Sequence, residues 1–467
     1  MSRRPIWEKI YKRFDPELPA EPSKRADRPH SPAAAICQTL DMPFADPREL
    51  LVGTVGTGKT TELLRIAEAR RDKEFVVFLD LERHFSEIVR DAPALQNISS
   101  WEVCFLAGVK LIAQAREDLD QDFARDHIKA FEGAWHALAK ATDTPPAPQL
   151  NIGSLARAVL GAAGAAVSLV AGGDVGAAVG GGLVAAGTAA AAATWNVPIA
   201  RSARSLPDQD KEMQALLDCV NVLVGLVQQR ARRVLFVIDG LDRIRDVDRA
   251  RALFIDSQMI ARLACPSVVC GPFALRHHPM MASVRRTRPR VLVNEPVMLQ
   301  SAPAQHGIGV AFFCALFDKR VADLGVPDLV PRPLLEQLAY RSGGRARDFI
   351  TFIRNLAEVA WRDDAPAADD AIVREVLDDR RRQREMGLHA GHIRLLEEVA
   401  ADPRHALPDS PLAQELLNYQ TLLPYPNESE WYYPHPLLTM HLIRPPGTAA
   451  GGSTASGASS GSSAPAS

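Results

Sequence analysis

The sequence has no C-x-x-C pair and no histidine cluster at zinc-finger spacing. Its six cysteines, Cys37, Cys104, Cys219, Cys265, Cys270 and Cys314, are scattered, which argues against a disulfide framework and a structural metal and fits a reducing, cytoplasmic setting. An excess of one charge is also lacking. Lys and Arg total 54 against 56 for Asp and Glu, a formal net charge of −2, so the chain as a whole lacks the basic footprint of nucleic-acid binders. The basic start MSRRPIWEKIYKRF has neither the apolar core nor the small-residue cleavage site of a secretory signal. Instead Trp7, Tyr11 and Phe14 fall at i, i+4 and i+7, predicting a short helix that lays an aromatic stripe on the body of the protein.

What is present is length and alternation. A chain of 467 residues is expected to form two or three folded units. Residues 15–32, rich in proline and charge, should run extended as a lead-in. Strand-like runs follow at RELLVG, EFVVFLDLE, VLFVIDGLDR, SVVCG and VLVNEPV, separated by helical stretches, which predicts an α/β fold with a parallel sheet flanked by helices. The resulting division is 1–32 lead-in, 33–300 sheet domain, 301–385 helical lid, 386–445 winged helix and 446–467 flexible tail. The sheet domain carries two insertions, one helical at 99–148 and one rich in Gly and Ala at 158–194. The winged helix rests on two helical segments, HIRLLEEVAAD and PLAQELLNY, before two short aromatic strands around a Pro-Asn-Glu-Ser turn.

The chemistry concentrates in two motifs. GTVGTGKT, residues 53–60, fits G-x-x-x-x-G-K-[ST] and stands between a strand and a helix as that motif requires. Gly53, Gly56 and Gly58 permit the loop of Thr54, Val55 and Thr57 to wrap with backbone N–H groups turned toward phosphates, while Thr61 continues into the helix. Lys59 supplies a point charge at the helix N-terminus, and Thr60 a hydroxyl for Mg²⁺. VLFVID ends in Asp239, the acid expected on the metal side, about 180 residues after the loop. Gly240 follows where a second acid would polarise water, so Asp242 is a candidate for that role or, equally, a helix cap. Cys270, closing the SVVCG strand, and Arg276 are weaker candidates near the nucleotide.

GTVGTGKTTEL with VLFVIDGLDR resembles the P-loop ATPases of the additional-strand class, in particular bacterial proteins near the AAA+, STAND and KAP groups, over roughly residues 5–443. WEKIYKRFDPELP resembles the N-terminal lead-in of such proteins, and YPNESEWYYPHPLL the wing of their C-terminal winged helix. SGGRARDFITFIRNL resembles their GG-x-P-R helix start, with Ala346 in place of proline, which implies Arg347 as a sensor arginine on phosphate. The resemblance implies ATP and Mg²⁺ as ligands, a P-loop strand at the centre of the sheet, and slow or fast hydrolysis to ADP. It also implies a switch or motor role, by analogy in bacterial signalling or phage defence, with a protein partner or a second copy of the chain.

Two other functions compete. Residues 175–200 carry no charged side chain and are long enough as a helix to cross a ~30 Å layer. Gly172, Gly176 and Gly180 repeat at close-packing spacing, so a membrane-associating effector built on residues 158–200 stands beside a flexible or self-packed insertion. A DNA-binding adaptor using the winged helix is disfavoured by charge. Residues 391–443 offer only Arg394 and Arg404 against Glu397, Glu398, Asp402, Asp409, Glu415, Glu428 and Glu430.

Overall fold

In the computed structural model, residues 2–141, 207–277, 281, 287–326, 328–426 and 430–443 are described. The end of the helical insertion at 142–148, the Gly/Ala-rich insertion and the tail at 446–467 lie outside them. Five parallel strands form the central sheet: β1 (Arg48–Gly53), β2 (Phe75–Asp80), β3 (Val234–Asp239), β4 (Ser267–Pro272) and β5 (Arg288–Leu292). Their order is β2-β3-β4-β1-β5. The P-loop strand is therefore interior but off-centre, next to the edge strand β5, which corrects the expectation that it stands in the middle. The SVVCG strand, β4, lies beside it.

Alternate side chains of each strand feed two different cores, as the two-residue period of a strand demands. Leu50, Val52, Val77, Leu79, Phe236 and Ile238 face one side. There they meet α4 (Ser100–Leu119), α5 (Arg125–Ala141) and α6 (Pro207–Arg230). Leu51, Val76, Leu235 and Val237 face the other, against α2 (Ala33–Leu40) and α3 (Lys59–Arg70). Burial on both faces explains why these strands read as nearly continuous apolar runs rather than alternating ones. The expected strand at 291–297 is shifted. β5 ends at Leu292, and Asn294 and Glu295 leave the ladder to bond with other parts of the chain.

A third core joins the lid to the C-terminal module. The lid comprises α7 (Gly309–Val321), α8 (Arg332–Arg341), α9 (Ala346–Arg362) and α10 (Asp370–Glu385). The N-terminal α1 (Arg4–Arg13) packs along α9 through Trp7, Ile10 and Phe14, with the Trp7 indole N–H donating to the Ala365 carbonyl at 2.8 Å. The C-terminal module has α11 (Ala390–Ala401), α12 (Pro411–Asn418) and an antiparallel hairpin of β6 (Leu422–Tyr425) and β7 (Trp431–Pro434). No described helix is long and apolar enough to cross a membrane.

Candidate phosphate and metal site

β1, β3 and β4 run in parallel, so Gly53, Asp239 and Pro272 arrive at one edge of the sheet. There the chain turns from Gly53 through the glycine loop into α3. Gly56 and Gly58 hold φ of +88° and +97°, a region side chains resist, and a Cβ on Gly56 would come within 2.8 Å of the Arg345 guanidinium. Three successive loop carbonyls are capped from outside. Arg345 Nη2 donates to Val55 at 2.8 Å, the Arg347 backbone N–H to Gly56 at 3.1 Å, and Arg28 Nη1 to Thr57 at 2.7 Å. With these three carbonyls engaged from outside, the loop N–H groups are left as the candidates for an anion nest. The Thr57 hydroxyl donates to the Thr54 carbonyl at 2.9 Å, and that of Thr54 faces Asn294 Oδ1 at 3.4 Å.

Lys59 is buried inside this turn. Its Nζ donates to the carbonyls of Gly53 and Thr54 at 2.8 and 2.7 Å and pairs with Asp242 at 2.8 Å. On the opposite side the Thr60 hydroxyl hydrogen-bonds the Asp239 carboxylate, which also accepts the Gly240 N–H at 2.8 Å. Burial, with Asp80 and Asp242 beside it, pushes the Asp239 carboxyl up to about 7. Burial works in the same direction on Asp242, but the Lys59 ammonium overrides it and holds that carboxyl below the usual range. Burial, and then the neighbouring Asp242 and Asp239, push the Cys270 thiol well above its ordinary range, so it stands here as a neutral donor to Asp242. Ligand atoms of Asp239, Asp242 and Cys270 lie within 4.8 Å of one another. Burial also raises Asp80, whose carboxylate accepts the Arg83 N–H at 2.9 Å. Asp239, Asp242 and Cys270 thus form a cluster whose buried carboxylates a divalent cation would relieve, with Thr60 and Asp239 the residues to hold it.

The residues of both motifs come together, and Thr61 sits in the first turn of α3. Arg347 is placed differently from its expected contact. Its backbone meets the loop, while its partly exposed side chain lies 3.8 Å from Glu17. The arginine buried against the loop is Arg345, 1% exposed. It also donates to Gln420 and, at 2.7 Å, to Asp348. Asp348 in turn receives Arg384 at 2.7 Å and His435 at 3.1 Å, which binds loop, lid and hairpin module into one network. Arg276 turns away to Glu430 at 2.5 Å. Sequence reasoning missed Arg28 and Arg345 as loop contacts; Arg345 follows a glycine pair, and no local pattern marks Arg28. Beyond Gly53–Val55 and Asp242 an open cleft of about 790 Å³ lies against α12, lined by Gln96, Arg243, Gln414, Asn418 and Gln420.

No protein-family model matches the sequence, and no curated protein matches it. Among solved structures, Drosophila ORC bound to DNA is similar at 10% identity and a TM-score of 0.37, over 92% of this chain and 88% of that one. The Aeropyrum pernix ORC1 protein in complex with DNA is similar at 12% identity and a TM-score of 0.36, over 90% and 94%.

Proposed function

We propose that this chain is an ATP-binding P-loop ATPase that works as a nucleotide-dependent switch. The observation that carries the reading is the juxtaposition of Lys59 with the loop carbonyls and Asp242 on one side, and of Thr60 with Asp239 on the other. A triphosphate in the loop would draw the Lys59 ammonium from its internal partners to the β- and γ-oxygens. Its charge would be met by the loop N–H groups and the N-terminus of α3. Mg²⁺, when bound, would neutralise the phosphate oxygens from the Thr60 and Asp239 side. The switch reading rests on the capped carbonyls. Any shift of Val55 and Gly56 on nucleotide binding would be felt directly by Arg345 and Arg347 at the start of α9, and through Gln420 and Asp348 by the hairpin module.

The test is titration of the full chain with a fluorescent ATP analogue. Lys59→Ala should weaken binding by about 100-fold or more, the loss expected when a buried charged hydrogen-bond donor is removed. Unchanged affinity would sink the reading. The membrane-effector alternative depends on residues outside those described, and no observation among the described residues favours it over the switch.

A further inference from the structure

β2 and β3 end alike. FVVFLD and VLFVID both close on aspartate, and the register pairs Asp80 with Asp239. Side chains directly across a parallel ladder share a face of the sheet, so Asp80 projects on the face where Asp239 meets Thr60. A carboxylate can take the proton of the attacking water, and the positions beside Asp239 do not supply a free one. Gly240 holds φ of +93°, and a Cβ there would come within 2.6 Å of the Glu82 backbone nitrogen, so no acidic side chain fits after Asp239. Asp242 is the counter-ion of Lys59 at 2.8 Å, and Glu82 is held by Arg243 at 2.7 Å. Asp80 makes no ion pair among the described residues. It is anchored through one oxygen by the Arg83 N–H, which leaves the other for water.

We propose that Asp80 is the base that takes the proton of the attacking water, an inference that rests on the nucleotide reading above. As the water oxygen bonds to the γ-phosphorus, its proton passes to Asp80. The bond from that phosphorus to the β–γ bridging oxygen breaks, its electron pair leaving on ADP. Asp80 then returns the proton to solvent, giving ADP, phosphate and one proton. A carboxylate on the strand beside β3 thus takes the place that Gly240 closes on β3 itself.

The bland reading is that Asp80 only caps the turn at Arg83, and asparagine separates the two, because it caps as well as aspartate but cannot take a proton. Phosphate release and fluorescent-ATP titration would be measured on the full chain as wild type, Asp80→Asn and Asp80→Ser, serine being a second competent cap. The base role predicts affinity within about two-fold of wild type and turnover lower by roughly 10²- to 10⁴-fold in both variants. Turnover within about three-fold of wild type in either folded variant would overturn it. Wild-type protein that binds ATP without turning it over would also overturn the role of Asp80 while leaving nucleotide binding intact. Wild-type protein that does not bind ATP would instead bring down the nucleotide reading, and this inference with it.

Discussion

The two walls of the glycine loop carry opposite charge. On the sheet side Asp80 and Asp242 stand beside Asp239, and Lys59 pairs with Asp242. On the lid side Arg28, Arg345 and Arg384 converge, with Glu295 and Asp348 as their carboxylates. The difference lies in how each charge is satisfied. The lid-side guanidiniums spend donors on neutral loop carbonyls and one shared aspartate, and so fix the loop's shape. The sheet-side carboxylates crowd one another, and burial together with that crowding lifts Asp239 to about 7. On the sheet side an added cation would relieve the carboxylates, as a metal-assisted phosphate site requires.

The strongest test of this contrast is on the lid-side wall. Asp348→Ala leaves Arg345, Arg384 and His435 facing one another in a buried setting without their carboxylate. The expected cost is ~3–5 kcal/mol in urea-induced unfolding. A change below ~1 kcal/mol would show that the network contributes nothing to holding lid and hairpin together.

A smaller effect sharpens the same point through pH. Burial, with the Arg384 charge beside it, holds His435 down at about 3, against an ordinary value of 6.5. As pH falls below 6.5 the unfolded chain takes up a proton that the native imidazole refuses, so stability declines from there toward pH 3. At pH 5.5 the loss relative to pH 7.5 from this group is on the order of 1 kcal/mol, and His435→Gln should flatten that part of the profile. An identical slope in the variant would remove His435 as its source.

The smallest effect concerns Arg347. Its side chain is partly exposed and its one ion pair among the described residues is with Glu17, at 3.8 Å, so Arg347→Ala should change stability by less than ~0.5 kcal/mol. If the side chain swings to phosphate when nucleotide binds, the same variant loses ATP affinity by roughly ten-fold. If affinity holds, the buried Arg345 is the arginine that responds to the loop.

How much of this was legible in the sequence follows from the range of the interactions. The loop from Gly53 to Thr60 and the strand ending at Asp239 are local patterns with fixed spacing and strong turn chemistry, and both stand where their residues indicate. The aromatic stripe of Trp7 and Phe14 was legible for the same reason. Sheet order was not, because Val76, Leu235 and Leu51 look alike as apolar strand residues and pairing is settled only by which helices cover them. Arg28 and Arg345 were hidden for a different reason. Each is one arginine among many until the fold carries it to the loop across 29 and 290 residues. Asp80 was visible as an acid ending a strand, but its partnership with Asp239 exists only in the register of β2 and β3.

The most direct test of the central claim is calorimetric titration of ATP, with and without Mg²⁺, into the wild-type chain and Asp239→Asn. If the loop and the end of β3 form one phosphate and metal site, the wild type gains affinity when Mg²⁺ is added and the variant does not. An equal gain in both would show that Asp239 takes no part in holding the metal, and the site would have to be abandoned.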